Sequence, residues 1–154
     1  MTICLEDTAR IKKETQPLKE EVNKFQKISI NETPIPQARM RLSKWGVYDP
    51  CRDKKNWIKH QIREQVEKAI ECPVEIEIDF YMKIPTSTTL KVRKAIQNDS
   101  YAHVKKPDID NLCILYMNCM NEIAYKDDRQ IYKLTAHKKY DDNPRTEINI
   151  KWHE

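Results

Sequence analysis

From Val74 to Met82 the chain alternates without a break. Val74, Ile76, Ile78, Phe80 and Met82 are apolar, while Glu75, Glu77, Asp79 and Tyr81 between them are polar. Successive side chains of a strand point to opposite faces, so this run is a strand with one dry and one wet face. A sheet of that kind needs a covering layer on its dry side only. Two helices can supply it. Trp57, Ile58, Ile62, Val66, Ala69 and Ile70 form an apolar stripe that predicts a helix over 53–71, stopped by Pro73. Leu112, Leu115, Tyr116, Cys119 and Ile123 form a second stripe, on a helix starting near Asp110. Further strands are predicted over 25–30, 131–140 and 145–152, the last two joined as an antiparallel hairpin at Asp141-Asp142-Asn143-Pro144. The expected fold is α+β, a mixed or antiparallel sheet with helices packed on one side.

At 154 residues the chain has room for one core. Residues 1–24 are mostly charged and broken by Pro17, and read as an arm, helical or disordered, leaving 25–154 as a single domain. No stretch is long and apolar enough to span a membrane, and the opening Met-Thr-Ile-Cys-Leu-Glu-Asp is no signal peptide, so a cytoplasmic protein is expected. The five cysteines are scattered and form no Cys-x-x-Cys pair, which points to reduced thiols rather than zinc or disulfides. Gly46 is the single glycine, which excludes glycine-rich phosphate loops and with them a nucleotide cofactor.

The net charge of +4 is unevenly spread. Residues 36–63 hold eight Lys or Arg against two Asp, and residues 83–107 hold six against Asp99 alone. In the first segment Arg39, Arg41 and Lys44 are interleaved with Trp45 and Tyr48, a composition suited to gripping phosphates and stacking on splayed bases. Trp45 also fits a cap on the core. The second segment, Ile84–His103, reads as a flexible basic flap with a short helix over 89–98 carrying Lys91, Arg93 and Lys94, and it leads into Lys105 and Lys106. His60 reads as a surface residue. His103 reads as a surface histidine or, beside the acidic motif, as a proton shuttle or phosphate contact.

That motif is Lys105-Lys106-Pro107-Asp108-Ile109-Asp110-Asn111-Leu112, and Tyr125-Lys126-Asp127-Asp128-Arg129-Gln130-Ile131 follows the helix. Asp108 and Asp110 are two apart, and Pro107 keeps the preceding residue out of helical geometry, so both carboxylates should converge at the helix start. With a third carboxylate returning after the helix they would make a hard-oxygen cage for Mg²⁺ or Mn²⁺. Taken singly, Asp108 is also a natural helix cap, and Asp127 and Asp128 a natural polar turn. A calcium loop is excluded, because its downstream glycine and glutamate are missing.

Lys106-Pro107-Asp108-Ile109-Asp110-Asn111-Leu112 and Ile123-Ala124-Tyr125-Lys126-Asp127-Asp128-Arg129-Gln130-Ile131 resemble the motifs of the RusA family of Holliday-junction resolvases. The likeness implies a Mg²⁺-dependent endodeoxyribonuclease that acts as a homodimer on branched DNA in recombination and repair. It implies Asp108, Asp110 and Asp128 as catalytic metal ligands, with Asp127, Asn111 and Lys106 supporting them. Arg39, Arg41, Lys44, Lys91, Arg93, Lys94 and Lys105 would hold DNA. Three positions depart from the family's habit. Ile114 stands where a lysine is usual, Asn118 where an acidic residue is usual, and Glu122 where a glycine is usual. Two readings therefore stand side by side: an active nuclease, and a junction-binding protein whose catalysis is weakened.

Overall fold

A computed structural model describes residues 23–154. Apart from Asn23 and Lys24, the expected charged arm lies outside the described residues. The elements are β1 (Asn23–Ile30), β2 (Arg41–Ser43), β3 (Gly46–Tyr48), α1 (Arg52–Gln65), β4 (Val74–Lys83), α2 (Leu90–Gln97), α3 (Ile109–Met120), a 3₁₀ turn (Asp128–Gln130), β5 (Ile131–Asp141) and β6 (Arg145–His153). Four strands form one mixed sheet in the order β1-β6-β4-β5. β6 runs antiparallel to both β1 and β4, and β5 runs parallel to β4. The fold is α+β, as expected.

The alternation of β4 decides the layering. Val74, Ile76, Ile78 and Phe80 are fully buried, together with Ile28, Ile30, Ile148 and Ile150 of β1 and β6. They meet Ile58 and Ile62 of α1 and Leu112, Leu115, Tyr116, Cys119 and Met120 of α3. The other face of β4 carries Glu75, Glu77 and Asp79, and is laced by ion pairs such as Lys133–Glu75 at 3.0 Å. Helix α2 buries none of its residues and is anchored at its start by Thr89, whose hydroxyl accepts from the Val92 amide at 3.4 Å.

Two expectations need correction. Helix α1 ends at Gln65 rather than at residue 71, with Val66 already extended. The Gln65 side chain bonds both the amide and the carbonyl of Ser29 on β1, fixing the helix end against the sheet. Beyond it, Ile70 gives its backbone to Ala124 and Lys126 instead of to a helical turn. Secondly, β5 and β6 are not a hairpin, since β4 lies between them. β4 is the strand whose dry face is buried from end to end, so it takes the centre. Residues 142–144 step over its end, a span of two strand spacings, about 10 Å, that such a link can cover.

The parallel pairing of β4 and β5 governs where the motif lies. Parallel neighbours need a connection that travels back along the sheet. Helix α3 makes that return, so it starts at the end where β4 and β5 finish and stops at the end where they begin.

Candidate metal and nucleic-acid site

Asp108 is the residue that caps α3, with extended backbone, yet its carboxylate bonds no amide of the helix. Asp110 lies in the first turn and accepts from the Asn111 amide at 2.9 Å. Both are exposed. The capping alternative therefore does not engage the Asp108 side chain, and the two carboxylates share one rim, open to solvent.

Several groups hold this rim in place. Lys138 Nζ on β5 donates to the carbonyl oxygens of Lys105 at 2.6 Å and Pro107 at 2.7 Å. The Asn111 carbonyl, one turn into α3, accepts from the Gln37 amide at 3.0 Å, so the basic ribbon leaves directly from the rim. Beyond Gln37 that ribbon forms the β2–β3 hairpin, exposed at every residue, turning at Gly46, whose φ of +119° suits glycine alone. Arg39, Arg41 and Lys44 are all exposed on it. Trp45, at 87% exposed, is no core cap, and the Lys44 ammonium sits 5.1 Å from its ring. On α2, Lys91 and Lys94 are exposed, whereas Arg93 is half-buried and 3.6 Å from Asp142. Lys105 and Lys106 are exposed beside Asp108. Asp141 is engaged in turn chemistry, accepting from the Asn143 amide at 2.8 Å and from Arg145 at 3.2 Å.

His103 is not a surface histidine. It is 8% exposed and packed against Tyr140, with ring centroids 4.4 Å apart and planes tilted by 41°. Burial and the nearby Lys138 and Lys105 push its pKa down, so the ring is neutral at physiological pH. It lines an open pocket of about 890 Å³ with Tyr81, Tyr101, Ile109, Lys138 and Tyr140.

The second aspartate pair sits elsewhere. Asp127 and Gln130 form a reciprocal capping box on the 3₁₀ turn. Arg129 clasps the Asp127 carboxylate from Nε at 3.1 Å and from a terminal nitrogen at 3.0 Å, holding its pKa down at about 2. Gln130 Nε2 ties the turn to the Ile70 and Cys72 carbonyls, at the entrance to β4. Tyr125 bonds Met117, in the last turn of α3, through its hydroxyl at 2.9 Å. Asp128, exposed, therefore lies at the opposite end of α3 from Asp108 and Asp110. A helix of 12 residues is about 18 Å long, so one chain does not draw its three aspartates together.

Among the described residues, Glu77, Asp79 and His137 are the group of three metal-type ligands whose atoms fall within 4.8 Å of one another. They lie on the wet face of the sheet, where His137 Nδ1 is 3.0 Å from Asp79 and Lys139 is 4.0 Å away. In the sequence pattern those carboxylates read as solvated charge. Of the two carboxylates, Asp79 is the one engaged by these partners.

As to fit, Asp108 offers Mg²⁺ hard oxygens that are neither buried nor used in capping, and Asp110 offers a second exposed carboxylate, one oxygen of which accepts from the Asn111 amide. They are two of the three carboxylates expected from the sequence as ligands. No helix among the described residues is long and apolar enough to cross a membrane.

The family model of endodeoxyribonuclease RusA matches residues 32–151. The chain is also 27% identical over 136 residues to the uncharacterized protein YqaN of Bacillus subtilis (strain 168), covering 81% of this chain and 94% of that protein.

Proposed function

Starting from the fact that this chain belongs to the RusA endodeoxyribonuclease family, we propose that it nicks four-way and other branched DNA in a Mg²⁺-dependent reaction, with Mn²⁺ able to substitute. The observation that carries this reading is the rim at the start of α3. There two exposed aspartates, one at a cap position that its side chain does not serve, stand beside a basic aromatic ribbon tied to the same turn. Asp108 and Asp110 hold the ion at this rim; the family likeness implies Asp128 as a further ligand, although within one chain it stands beyond the far end of α3, on the turn that Asp127 caps. Bound there, Mg²⁺ supplies Lewis-acid charge to the scissile phosphate.

The chain's own residues do the positioning. Arg39, Arg41 and Lys44 hold one arm of the junction by its phosphates, and Trp45 stacks on a base freed at the branch point. Lys91, Lys94 and Lys105 hold the backbone from the flap side, while Asn111 and Lys106 steady the rim. Two nicks of like polarity across a roughly two-fold junction call for two such sites, which a C₂ homodimer provides. Such a protein works in recombination and repair in the cytoplasm, on residues 25–154 as one nuclease domain, with the charged arm 1–24 outside it.

A second reading is favoured by one residue. Ile114, 46% exposed on α3, puts an apolar side chain where the family's lysine is usual, which suits a junction binder with weakened catalysis. One gel separates the two. Four-way, three-way and linear DNA are incubated with Mg²⁺, Mn²⁺ or EDTA, beside a binding assay on the same preparation. Metal-dependent nicks that vanish in Asp108→Asn are expected. Tight junction binding without product under either metal would establish the binder instead.

A further inference from the structure

The open pocket of about 890 Å³ lies between the flap that carries α2 and the outer edge of β5. We propose that it is a nucleobase site, which takes one base turned out of a DNA strand whose phosphates pass beside it. The proposal rests on the reading that this chain binds branched DNA, and adds the place where a single base is lodged.

The aromatic walls come from a bend in the flap. Just after α2, Asp99 takes a φ of +58°, and the amide and hydroxyl of Ser100 both donate to the Ala95 carbonyl. The bend turns the chain back onto the sheet and brings Tyr101 and His103 to Tyr140 on β5. Their ring centroids lie 6.0 and 4.4 Å from that of Tyr140, with planes tilted by 41° in each pair. Tyr101 is still 44% exposed, so these contacts leave aromatic surface uncovered. Every base has a π face that stacks on such rings, and a cavity of several hundred Å³ is ample for one.

The same walls hold polar groups that the chain leaves unserved. His103 Nδ1 is buried and has no hydrogen-bond partner. A polar atom in that state costs stability until a partner arrives. Facing it, residues 136–141 belong to β5, an edge strand whose outer N–H and C=O groups pair with no strand among the described residues. A splayed base stacks on aromatic side chains and is hydrogen-bonded along its edges. Rings and free polar groups of both kinds meet here.

Charge fixes the direction of entry. Ile109, between Asp108 and Asp110 in the chain, belongs to the pocket wall, so the mouth opens beside Lys105 and Lys106. Lys138 marks this end of β5 by its bonds to the Lys105 and Pro107 carbonyls. Three residues further on, about 10 Å along the strand, Asp141 and Asp142 face Arg145 and Arg93. A DNA strand lying along Lys105 and Lys106 turns a base inward without bringing its phosphates to those carboxylates.

The test measures equilibrium binding of the full-length protein to four-way junctions in EDTA, with a single abasic site placed in turn at each nucleotide around the branch point. Wild type should lose about fivefold or more in affinity at one position and little at the others. Tyr101→Ala should lose as much on the intact junction and nothing further when that position is abasic. Thermal melting and linear-duplex affinity confirm that the variant is folded. Tyr140→Leu, which alters the opposite wall, should repeat the pattern. In Trp45→Ala the abasic loss should persist, because the ribbon is a separate surface. Losses that add in the two tyrosine variants overturn the proposal, as does an abasic effect that disappears in Trp45→Ala or a wild type indifferent to every abasic site. Since the readout is binding, a failure of the metal-nuclease reading leaves the result unchanged. A wild type without affinity for any junction overturns the branched-DNA reading, and the base site falls with it.

Discussion

Lys138 reaches from β5 to the chain entering α3, donating to the Pro107 carbonyl at 2.7 Å and the Lys105 carbonyl at 2.6 Å. A single ammonium thus joins the sheet to the peptide that carries Asp108. Hydrogen bonds to a charged group at such a half-buried place contribute about 1–2 kcal/mol, discounted for solvent. Lys138→Met keeps the stem and removes the donor. Denaturant melts should show a loss of about that size. Mn²⁺ affinity should fall several-fold while junction affinity holds, because the rim loosens and the basic ribbon does not. Equal losses in both would make Lys138 a phosphate contact instead.

His103 gives the fold a pH dependence whose sign follows from burial. Its pKa is lowered in the folded chain, by burial first and by Lys138 and Lys105 after it. The unfolded chain therefore binds this proton more readily, at its ordinary value of about 6.5. The stability is fully present above that value and is lost as pH falls from it toward the folded pKa. Replacing the ring by Phe keeps a ring packed against Tyr140 and removes the titration. Unfolding free energies at pH 7.5 and 5.5 should differ less in His103→Phe than in wild type. An unchanged difference would mean that other groups set the acid limit.

Asp127 and Asp128 are neighbours with different work. Arg129 and the capping box occupy Asp127, whereas Asp128 is exposed at the turn. Asp127→Ser keeps an oxygen that can cap and should leave cleavage within a few-fold of wild type. Asp128→Asn should slow single-turnover nicking by about a hundredfold, because the ion that supplies Lewis-acid charge loses a carboxylate ligand. Similar rates in the two variants would reverse their roles.

Much of this architecture was legible in local pattern. The strict alternation of Val74–Met82 marked β4 and its wet face, and the stripe from Leu112 to Cys119 marked α3 and its buried side. Asp108 and Asp110 fell where Pro107 and that stripe put them. The route between elements was less legible. Periodicity says which face of a strand is dry, but not which strand lies beside it, so β5 and β6 looked like a hairpin when β4 divides them. The same silence hid the distance to Asp128. Only the parallel pairing of β4 and β5 compels α3 to run back along the sheet and carry the two aspartate pairs apart. The end of α1 was missed for a tertiary reason, the capture of Gln65 by Ser29.

The ribbon makes its prediction through salt and stacking. Removing one phosphate-binding charge should reduce the slope of log affinity against log salt by about 0.9 on duplex DNA. Arg39→Ala and Arg41→Ala should each do so, weakening branched and linear DNA alike. Trp45→Ala should act differently, since a stacked base is worth about 1–3 kcal/mol and only a branch offers one freely. Junction affinity should fall by about fivefold or more, with linear duplex and the salt slope nearly unchanged. Equal losses on junction and duplex would remove the stacking role.

Ile114 holds the test of catalytic competence. It lies on the exposed line of α3 between Asp110, one turn before it, and Asn118, one turn after, and it is 46% exposed. An isoleucine here leaves apolar surface on a polar stripe. A lysine four residues after Asp110 would face that carboxylate across one helical turn. It would also hold a cation near the phosphate as negative charge accumulates during cleavage. The ribbon, which carries DNA affinity, is untouched by such a change. Ile114→Lys should therefore raise the single-turnover rate by about tenfold and leave junction affinity almost as it was, with Ile114→Met as the uncharged control. A flat rate in a folded Ile114→Lys protein would assign the residue to packing and pass the missing charge to Lys106, to be tested next by substitution with methionine.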